Sequence, residues 1–334
     1  MKIAIHHRIG SFSAAWIEYC QDNHIPYKIV DAYKDDIIDQ LADCDIFMWH
    51  HHHAIYKDTL FAKQLLYTLQ VAGKKVFPDV NTGFTFDDKV AQKYLLEAVN
   101  APLVPSYVFY SRSEALEWIR KESFPKIFKL RGGAGASNVR LVNSKRQAVR
   151  IVNLAFSRGI STFNRVDHLK DTWRLFREHH LSWNSFCKEL VRSVISTDYA
   201  QKHGREKGYV YFQNFIPNNK SDVRLIVIKD KAYGMKRMCR KNDFRASGSS
   251  NFIYDNIDER TLKIAFNTAE KIALQSVAFD FIYDELGNPL IIEMSYGYGT
   301  KGSSKCKGYW TKDLKWHEGT FNPFGWQIEN LING

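Results

Sequence analysis

The sequence predicts a mixed α/β and α+β protein, and three observations carry that prediction. Short β-branched and aromatic runs alternate with amphipathic segments in the first quarter of the chain, a strand, glycine loop, strand unit follows near residue 130, and two apolar strands near residue 285 are joined by a short turn and each interrupted by one acid. In the first quarter, Lys2–Ile5, Tyr27–Val30, Asp45–Trp49 and Lys75–Phe77 read as strands, and Ser13–Cys20, Asp36–Leu41 and Leu60–Val71 as helices, a βαβαβ pattern with a parallel sheet. The turn-rich Pro78–Gly83 closes this part, so a first domain is placed over residues 1–83.

Asp87 or Asp88 then caps a helix whose Val90, Ala91, Tyr94, Leu95 and Ala98 share one face, with Lys89 in its first turn. A strand at Ser106–Tyr110, a helix begun by Ser113 and a strand at Ile127–Leu130 lead into Arg131-Gly132-Gly133-Ala134-Gly135-Ala136-Ser137 and the strand Val139–Val142. Residues 145–208 are mostly helical in pattern, with Leu169, Trp173 and Phe176 at helical spacing. Strands return at Tyr209–Phe215, Val223–Ile228 and Ala232–Arg237. A helix capped by Asp258 stripes Leu262, Ala265, Phe266, Ala269 and Ile272 inward, and Ala278–Tyr283 pairs with Pro289–Glu293 across Asp284–Asn288. The remainder therefore divides into 84–212 and 213–334, the former holding a helical insertion at about 153–208.

Composition narrows the classes. The 334 residues are 45% hydrophobic and 14% aromatic, enough for a full core and too much for long disordered stretches. No stretch approaches the roughly 18 apolar residues of a membrane span, and the start lacks a signal peptide's apolar region, so a cytoplasmic protein is expected. The five cysteines, Cys20, Cys44, Cys187, Cys239 and Cys306, form no CxxC pair, which argues against a disulfide framework or a zinc knuckle. The net charge of +11 is concentrated: Arg120–Arg158 holds ten basic residues against one acid and Arg224–Arg245 eight against two, so an anionic ligand is expected. Nucleic acid and a nucleotide triphosphate with an acidic second substrate both satisfy that charge.

Three glycines and two alanines in seven residues let the backbone approach a phosphate, and Lys129 adds a fixed positive charge. No Gly-Lys-Ser/Thr follows and the next element is a strand, so the loop is neither a Walker loop nor a dinucleotide fingerprint; a tight hairpin is the alternative. Asp280 and Glu293 each interrupt an apolar strand of the hairpin, and paired carboxylates suit magnesium held against triphosphate oxygens; edge-strand acids facing solvent are the plainer alternative.

With these elements in order, and with Gln213-Asn214-Phe215-Ile216, Asp222-Val223-Arg224, Lys236-Arg237 and Asp243-Phe244-Arg245 between them, the sequence resembles the ATP-grasp superfamily. Within it the resemblance is to the ribosomal-protein glutamate ligase, or RimK-like, branch, over about Asp88 to Ser304. The resemblance implies a Rossmann-like pre-ATP-grasp domain followed by a two-subdomain ATP-grasp fold that clamps ATP between two sheets. It implies that Lys89, Lys129 and the loop residues Gly132, Gly133, Gly135, Ala136 and Ser137 contact the nucleotide, that Gln213, Asn214, Phe215 and Ile216 meet the adenine, and that Asp222 meets the ribose. Lys236, Arg237 and Arg245 would face the γ-phosphate, and Asp280 and Glu293 would hold magnesium, two ions in number, with manganese able to substitute. The family's metal motif ends Glu-x-Asn, whereas this chain has Glu293-Met294-Ser295, so a serine hydroxyl must replace an amide oxygen or leave the position to water. The segment from about 153 to 208 is longer than in close relatives and is expected to cap the substrate site.

The implied chemistry is a carboxylate-amine ligation through an acyl phosphate. No side-chain nucleophile is needed, in keeping with the absence of a convincing Ser-His-Asp or Cys-His set. Phosphorylation that stops at the phosphorylated product is the alternative within the fold, and a basic nucleic-acid-binding protein the alternative outside it, disfavoured because the basic residues flank the glycine loop and the acids. Two further features are candidate substrate contacts. Trp49-His50-His51-His52-His53 follows a strand at its carboxyl edge, where His51 and His52 could touch a ligand, pack in a solvent-facing loop or bind metal. The segment from Ser295 to Lys305 suits a loop that closes over an acidic substrate through Tyr296 and Lys301, with a solvated loop as alternative. The tail carrying Trp310, Trp316 and Trp326 is expected to pack on the body, and its similarity to tails of ligase-like proteins encoded with surface-polysaccharide genes suggests a sugar carboxylate as substrate.

Overall fold

Four short strands, β1 (Ile3–His6), β2 (Tyr27–Val30), β3 (Ile46–Met48) and β4 (Lys75–Phe77), form a parallel sheet in the order β2-β1-β3-β4, in register with the predicted βαβαβ pattern. The structure is a computed structural model that describes residues 1–132, 138–161, 204–240, 243–248, 251–300 and 302–334, with residues 169, 172, 173, 176, 177, 182, 183 and 186 besides. Gly133, Gly135, Ala136, Ser137, Lys301 and much of the expected insertion lie outside the described residues. Two compact units are found: Met1–Phe86, Ala91–Leu103 and Ile216–Gly334 make the first, and Asp87–Val90 with Val104–Phe215 the second.

In the first unit the two central parallel strands, β1 and β3, are buried without alternation, as strands covered on both faces must be. Helices α1 (Ser13–Asp22), α2 (Ile37–Gln40), α3 (Tyr56–Val71) and α4 (Val80–Gly83) connect and follow them. Helix α3 starts four residues before the apolar pattern does, with Asp58 in the first turn, where the helix dipole favours an acid. Helix α5 (Lys89–Ala98) comes next in the chain.

The second unit is an antiparallel sheet of β5 (Ser106–Phe109), β6 (Lys126–Lys129), β7 (Val139–Val142) and, after the two-stranded ribbon β8 (Ile160–Ser161) and β9 (Arg205–Glu206), β10 (Val210–Asn214), in the order β5-β10-β6-β7. Helices α6 (Arg112–Lys121) and α7 (Lys145–Ala155) pack on one face through Ala115, Ile119, Ala148 and Val152 against Phe128, Val210 and Phe212. Both helices are capped by a serine at their N-terminus, Ser111 and Ser144.

The first unit also holds a large antiparallel sheet of β11 (Ser221–Ile228), β12 (Lys231–Met238), β13 (Phe252–Ile253), β14 (Val277–Tyr283), β15 (Pro289–Ser295), β16 (Gly308–Thr311) and β17 (Trp316–Glu318). The helix predicted after Asp258 is α8 (Glu259–Ile272); the Asp258 carboxylate caps it by accepting from the Arg260 N–H, and its five predicted stripe residues are all buried. Strand alternation divides the sheet's residues between two faces. Val223, Leu225, Val227, Phe279 and Phe281 meet α8, whereas Ile226, Ile228, Tyr233, Met235 and Ala278 join a core with Trp16 of α1 and with Trp326 and Ile328 of the C-terminal helix α9 (Pro323–Asn333). The tail thus packs on the body as expected, although Trp316 stays partly exposed.

Gly234 lies on β12 opposite Leu225 of β11. A Cβ there would lie 2.5 Å from both the Arg224 carbonyl oxygen and Leu225 Cδ2. Gly234→Ala is expected to lower unfolding stability by about 1–3 kcal/mol through overpacking, read by urea denaturation, since backbone cannot yield as a side-chain tip does.

Candidate active site

Period-2 alternation places Asp222 and Arg224 of β11, Arg237 of β12, Asp280 of β14 and Glu293 and Ser295 of β15 on the sheet face away from α8, in cross-strand register: Asp222 opposite Arg237, Arg224 opposite Asp280, Asp280 opposite Glu293, and Ser295 opposite Ala278. A β-bulge between Asp280 and Phe281 lets the acids pair although the strands slip beyond them. The Asp284–Asn288 turn therefore aligns the two carboxylates as the spacing implies.

The four innermost groups form a chain of charge. Arg224 donates to Asp280 through Nε at 2.7 Å and Nη2 at 2.8 Å, and Arg237 Nη2 reaches the same carboxylate at 2.7 Å. Arg237 also donates through Nε at 2.7 Å and Nη2 at 2.5 Å to Asp222. Burial alone would raise the Asp280 carboxyl, but the two guanidiniums outweigh it and hold it down to about 2. Burial pushes Asp222 up, to about 6, with the Asp280 charge adding to it and Arg237 and Arg224 opposing it. Arg237 is held in its charged form, burial being overcome by the two carboxylates.

Two sequence expectations change here, and one residue that carried none takes a place. Asp222, expected at a ribose, is buried with its carboxylate turned to Arg237, so it buttresses that guanidinium. Lys236, expected beside Arg237 at the γ-phosphate, is paired with Val223 and so projects from the α8 face, because adjacent strand residues point opposite ways. Arg224, given no role in the sequence reading, is the principal partner of Asp280; its spacing of two from Asp222 within a strand was the available signal. Arg245 is engaged by Asp243, its Nη2 at 2.8 Å from the carboxylate.

Magnesium, when held by protein, takes oxygen from one or two carboxylates and keeps its remaining positions for phosphate and water. Glu293 and Ser295 are partly exposed on one strand face beside Asp280, which accepts three hydrogen bonds and retains one of about four lone-pair directions. The donor set of Asp280, Glu293 and Ser295 thus fits such an ion. No group of three or more His, Cys, Asp or Glu arranged for a metal occurs among the described residues, the His run included.

In the second unit, Lys129 pairs with Tyr211 and Gln213 with Ile127, which sets Lys129, Tyr211 and Gln213 on the face away from α6 and α7. Gln213 Nε2 and the Tyr211 hydroxyl both reach Ser106 Oγ, at 3.0 and 2.9 Å. Lys89 and Lys129 are both buried, an expensive place for an ammonium without anionic or polar company. The Lys89 N–H donates to the Arg131 carbonyl at 2.9 Å and Arg131 Nε to Asp88 at 2.8 Å, so the residue before the glycine loop is tied to the start of α5. Gly132 approaches Asp87 closely, a Cβ being 3.1 Å from its carboxylate oxygen. Asn214 accepts from Lys126 at 2.7 Å, and the chain leaves the second unit at Phe215 and re-enters the first at Ile216.

The His run and the Tyr-Gly segment meet in the first unit. Tyr296 donates its hydroxyl to the His51 carbonyl at 3.0 Å and packs its ring on His50, His51 and Phe86. Both Tyr296 and Tyr298 are core residues, which corrects the expectation of Tyr296 on a closing loop: alternation beyond β15 turns the tyrosines inward, and Gly297 between them allows the Phe86 ring to pack closely. His51 is likewise buried, and His52 is half-buried with Nδ1 accepting from the Ala54 N–H at 3.1 Å.

Burial above all holds His51 down to about 3 and His50 well below the ordinary range, with Lys63, His52 and His53 opposing His51's charge and Arg8 that of His50. A base whose pKa is lowered by folding takes up its proton first in the unfolded chain. The stabilisation is therefore full above about pH 6.5 and lost as pH falls toward 3, at most about 1.4 kcal/mol per pH unit for each histidine. Thermal midpoints measured from pH 7.5 to 4.5 are expected to fall, and His51→Gln to flatten the dependence.

The fold is that of the ATP-grasp structures to which the chain is similar. Residues 189–312 match the family described as the RimK-like ATP-grasp domain, in accord with the resemblance read from the motifs. Among solved structures, the chain is similar to a RimK domain ATP-grasp protein from Sphaerobacter thermophilus (15% identity, TM-score 0.62, all of both chains covered). It is similar to D-cycloserine synthetase (11%, 0.61, covering 100% of this chain and 99% of that one). It is also similar to the biotin carboxylase domain of 2-oxoglutarate carboxylase from Hydrogenobacter thermophilus, solved with Mg-ADP and bicarbonate (13%, 0.61, covering 100% and 70%). No curated protein matches in sequence.

Proposed function

We propose that the protein is a Mg-ATP-dependent carboxylate-amine ligase. It phosphorylates a carboxylate to an acyl phosphate, releasing ADP, and an amine then displaces phosphate to form an amide. The observation that carries this reading is the pairing of Asp280 with Glu293 beside Arg224 and Arg237, in a stretch matching the RimK-like ATP-grasp domain. Mg-ADP in one structural neighbour supports the same nucleotide and ion.

On this reading Asp280, Glu293 and Ser295 hold the magnesium ions, two in number and replaceable by manganese, which when bound neutralise charge spreading over the transferred phosphoryl group. Arg237 and Arg245 stabilise that charge and the tetrahedral oxyanion of amide formation. Lys89, Lys129 and the 132–137 loop take the phosphates, and Gln213 to Ile216 the adenine. The three-domain division at 83 and 212, a cytoplasmic location and a sugar or amino-acid carboxylate belonging to surface-polysaccharide synthesis complete the proposal. No helix among the described residues is long and apolar enough to cross a membrane. ADP release, screened over uronates, amino acids and small amines, is expected to rise only with a matched pair. If none raises it above the level of Glu293→Ala, the ligase reading fails.

A further inference from the structure

Arg8 is the residue the site above leaves unexplained. Among the described residues its Nε and Nη2 are buried and have no hydrogen-bond partner, while Nη1 makes one long contact, 3.4 Å to the Ile9 carbonyl. That Nε/Nη2 edge is the one by which Arg131, Arg224, Arg237, Arg245 and Arg260 hold carboxylates elsewhere in this chain. A buried guanidinium edge loses its hydration without recompense unless an anion or polar group meets it. Asp58, the buried carboxylate of the same sheet edge, is already engaged by the Tyr33 hydroxyl and by the His52 N–H at 2.6 Å.

His50 supplies a second donor. Its Nδ1 accepts from the Phe12 N–H at 3.1 Å, which leaves the proton of the neutral ring on Nε2, and Nε2 is buried without a hydrogen-bond partner among the described residues, in a residue only 6% exposed. The ring is held by stacking on Phe12, centroids 3.7 Å apart. Gly297 stands beside it: a Cβ there would lie 3.4 Å from Nε2, although the Phe86 ring, 2.6 Å from the same position, takes the place of the missing side chain. Arg8 is tied to the same corner, its N–H donating to Ser13 Oγ at 3.1 Å, one residue from Phe12. Arg8 follows β1 and His50 follows β3, and the chain runs from β1 to β2 on one side and to β3 on the other. Open α/β sheets bind ligands outside the carboxyl ends of their strands where the order reverses in this way.

We propose that Arg8 and His50 form a binding site for the carboxylate of a small molecule, the guanidinium edge taking both oxygens and His50 Nε2 donating to one of them. The site rests on the ligase reading only in taking the bound molecule as one of its substrates.

The test needs neither ATP nor turnover, so it is separable from that reading. In ¹⁵N-labelled protein the Arg8 Nε–H resonance, identified as the one missing from Arg8→Lys, is followed while D-glucuronate, glutarate or inorganic phosphate is added. A saturable shift with a carboxylate is expected. Calorimetry with the same compound should show affinity reduced roughly 10–100-fold in Arg8→Lys, which keeps the charge and loses the two-pronged contact, and less in His50→Phe. No saturable shift, saturation by phosphate alone, or an unchanged affinity in Arg8→Lys overturns the proposal.

Discussion

Glu293→Ala is expected to lower ADP release by roughly 10²–10³-fold, the scale of removing one group that stabilises developing charge, while leaving the fold intact. Glu293 is partly exposed at the mouth of the β14–β15 pair, and Asp280 beside it is held by Arg224 and Arg237 rather than by Glu293, so the neighbours do not collapse when it goes. A single substitution at such a half-buried position alters stability by roughly 1 kcal/mol, which leaves the fold populated. Circular dichroism and a thermal melt alongside the ADP assay separate the two effects. Activity at or near wild type would remove Glu293 from the metal-binding set.

Arg237 makes the opposite prediction. Its guanidinium is buried and shared by two buried carboxylates, so Arg237→Met takes from Asp222 the guanidinium that is hydrogen-bonded to it, a loss of about 3–5 kcal/mol of unfolding stability. Asp280 suffers less, because Arg224 still holds both its oxygens. Adding Asp222→Leu to Arg237→Met should therefore recover much of the stability, since an ion pair replaced on both sides by apolar groups is often neutral. Activity should not recover with it, if Arg237 faces the phosphoryl group as proposed. Denaturant curves for the two single variants and the double variant give the coupling; stability unchanged in Arg237→Met would contradict the charge chain.

The parts of this arrangement legible in the sequence are those set by local periodicity. The 3.6-residue stripe of α8, the alternation of β11 and β14, and the short turn that brings Asp280 opposite Glu293 are all written within a few residues of one another. The roles that changed depend on register between strands. Whether Asp222 meets a ligand or Arg237 is decided by the offset of β11 against β12, and the same offset sends Lys236 to the α8 face, although a motif read as a line places it beside Arg237. The His run was conspicuous as a sequence, yet its donors acquire meaning only once β1 and β3 lie side by side and bring Arg8 to the same edge. Tyr296 was misplaced for a related reason: glycines on either side of Tyr298 suggest mobility, whereas here Gly297 admits the Phe86 ring against the backbone.

The claim that most needs testing is that a carboxylate is activated by phosphorylation. Hydroxylamine added with ATP, magnesium and the carboxylate that supports ADP release should yield the hydroxamate in step with ADP, and Glu293→Ala should yield neither. ADP formed without hydroxamate would contradict the account and assign the fold to phosphorylation that stops at a stable phosphate ester.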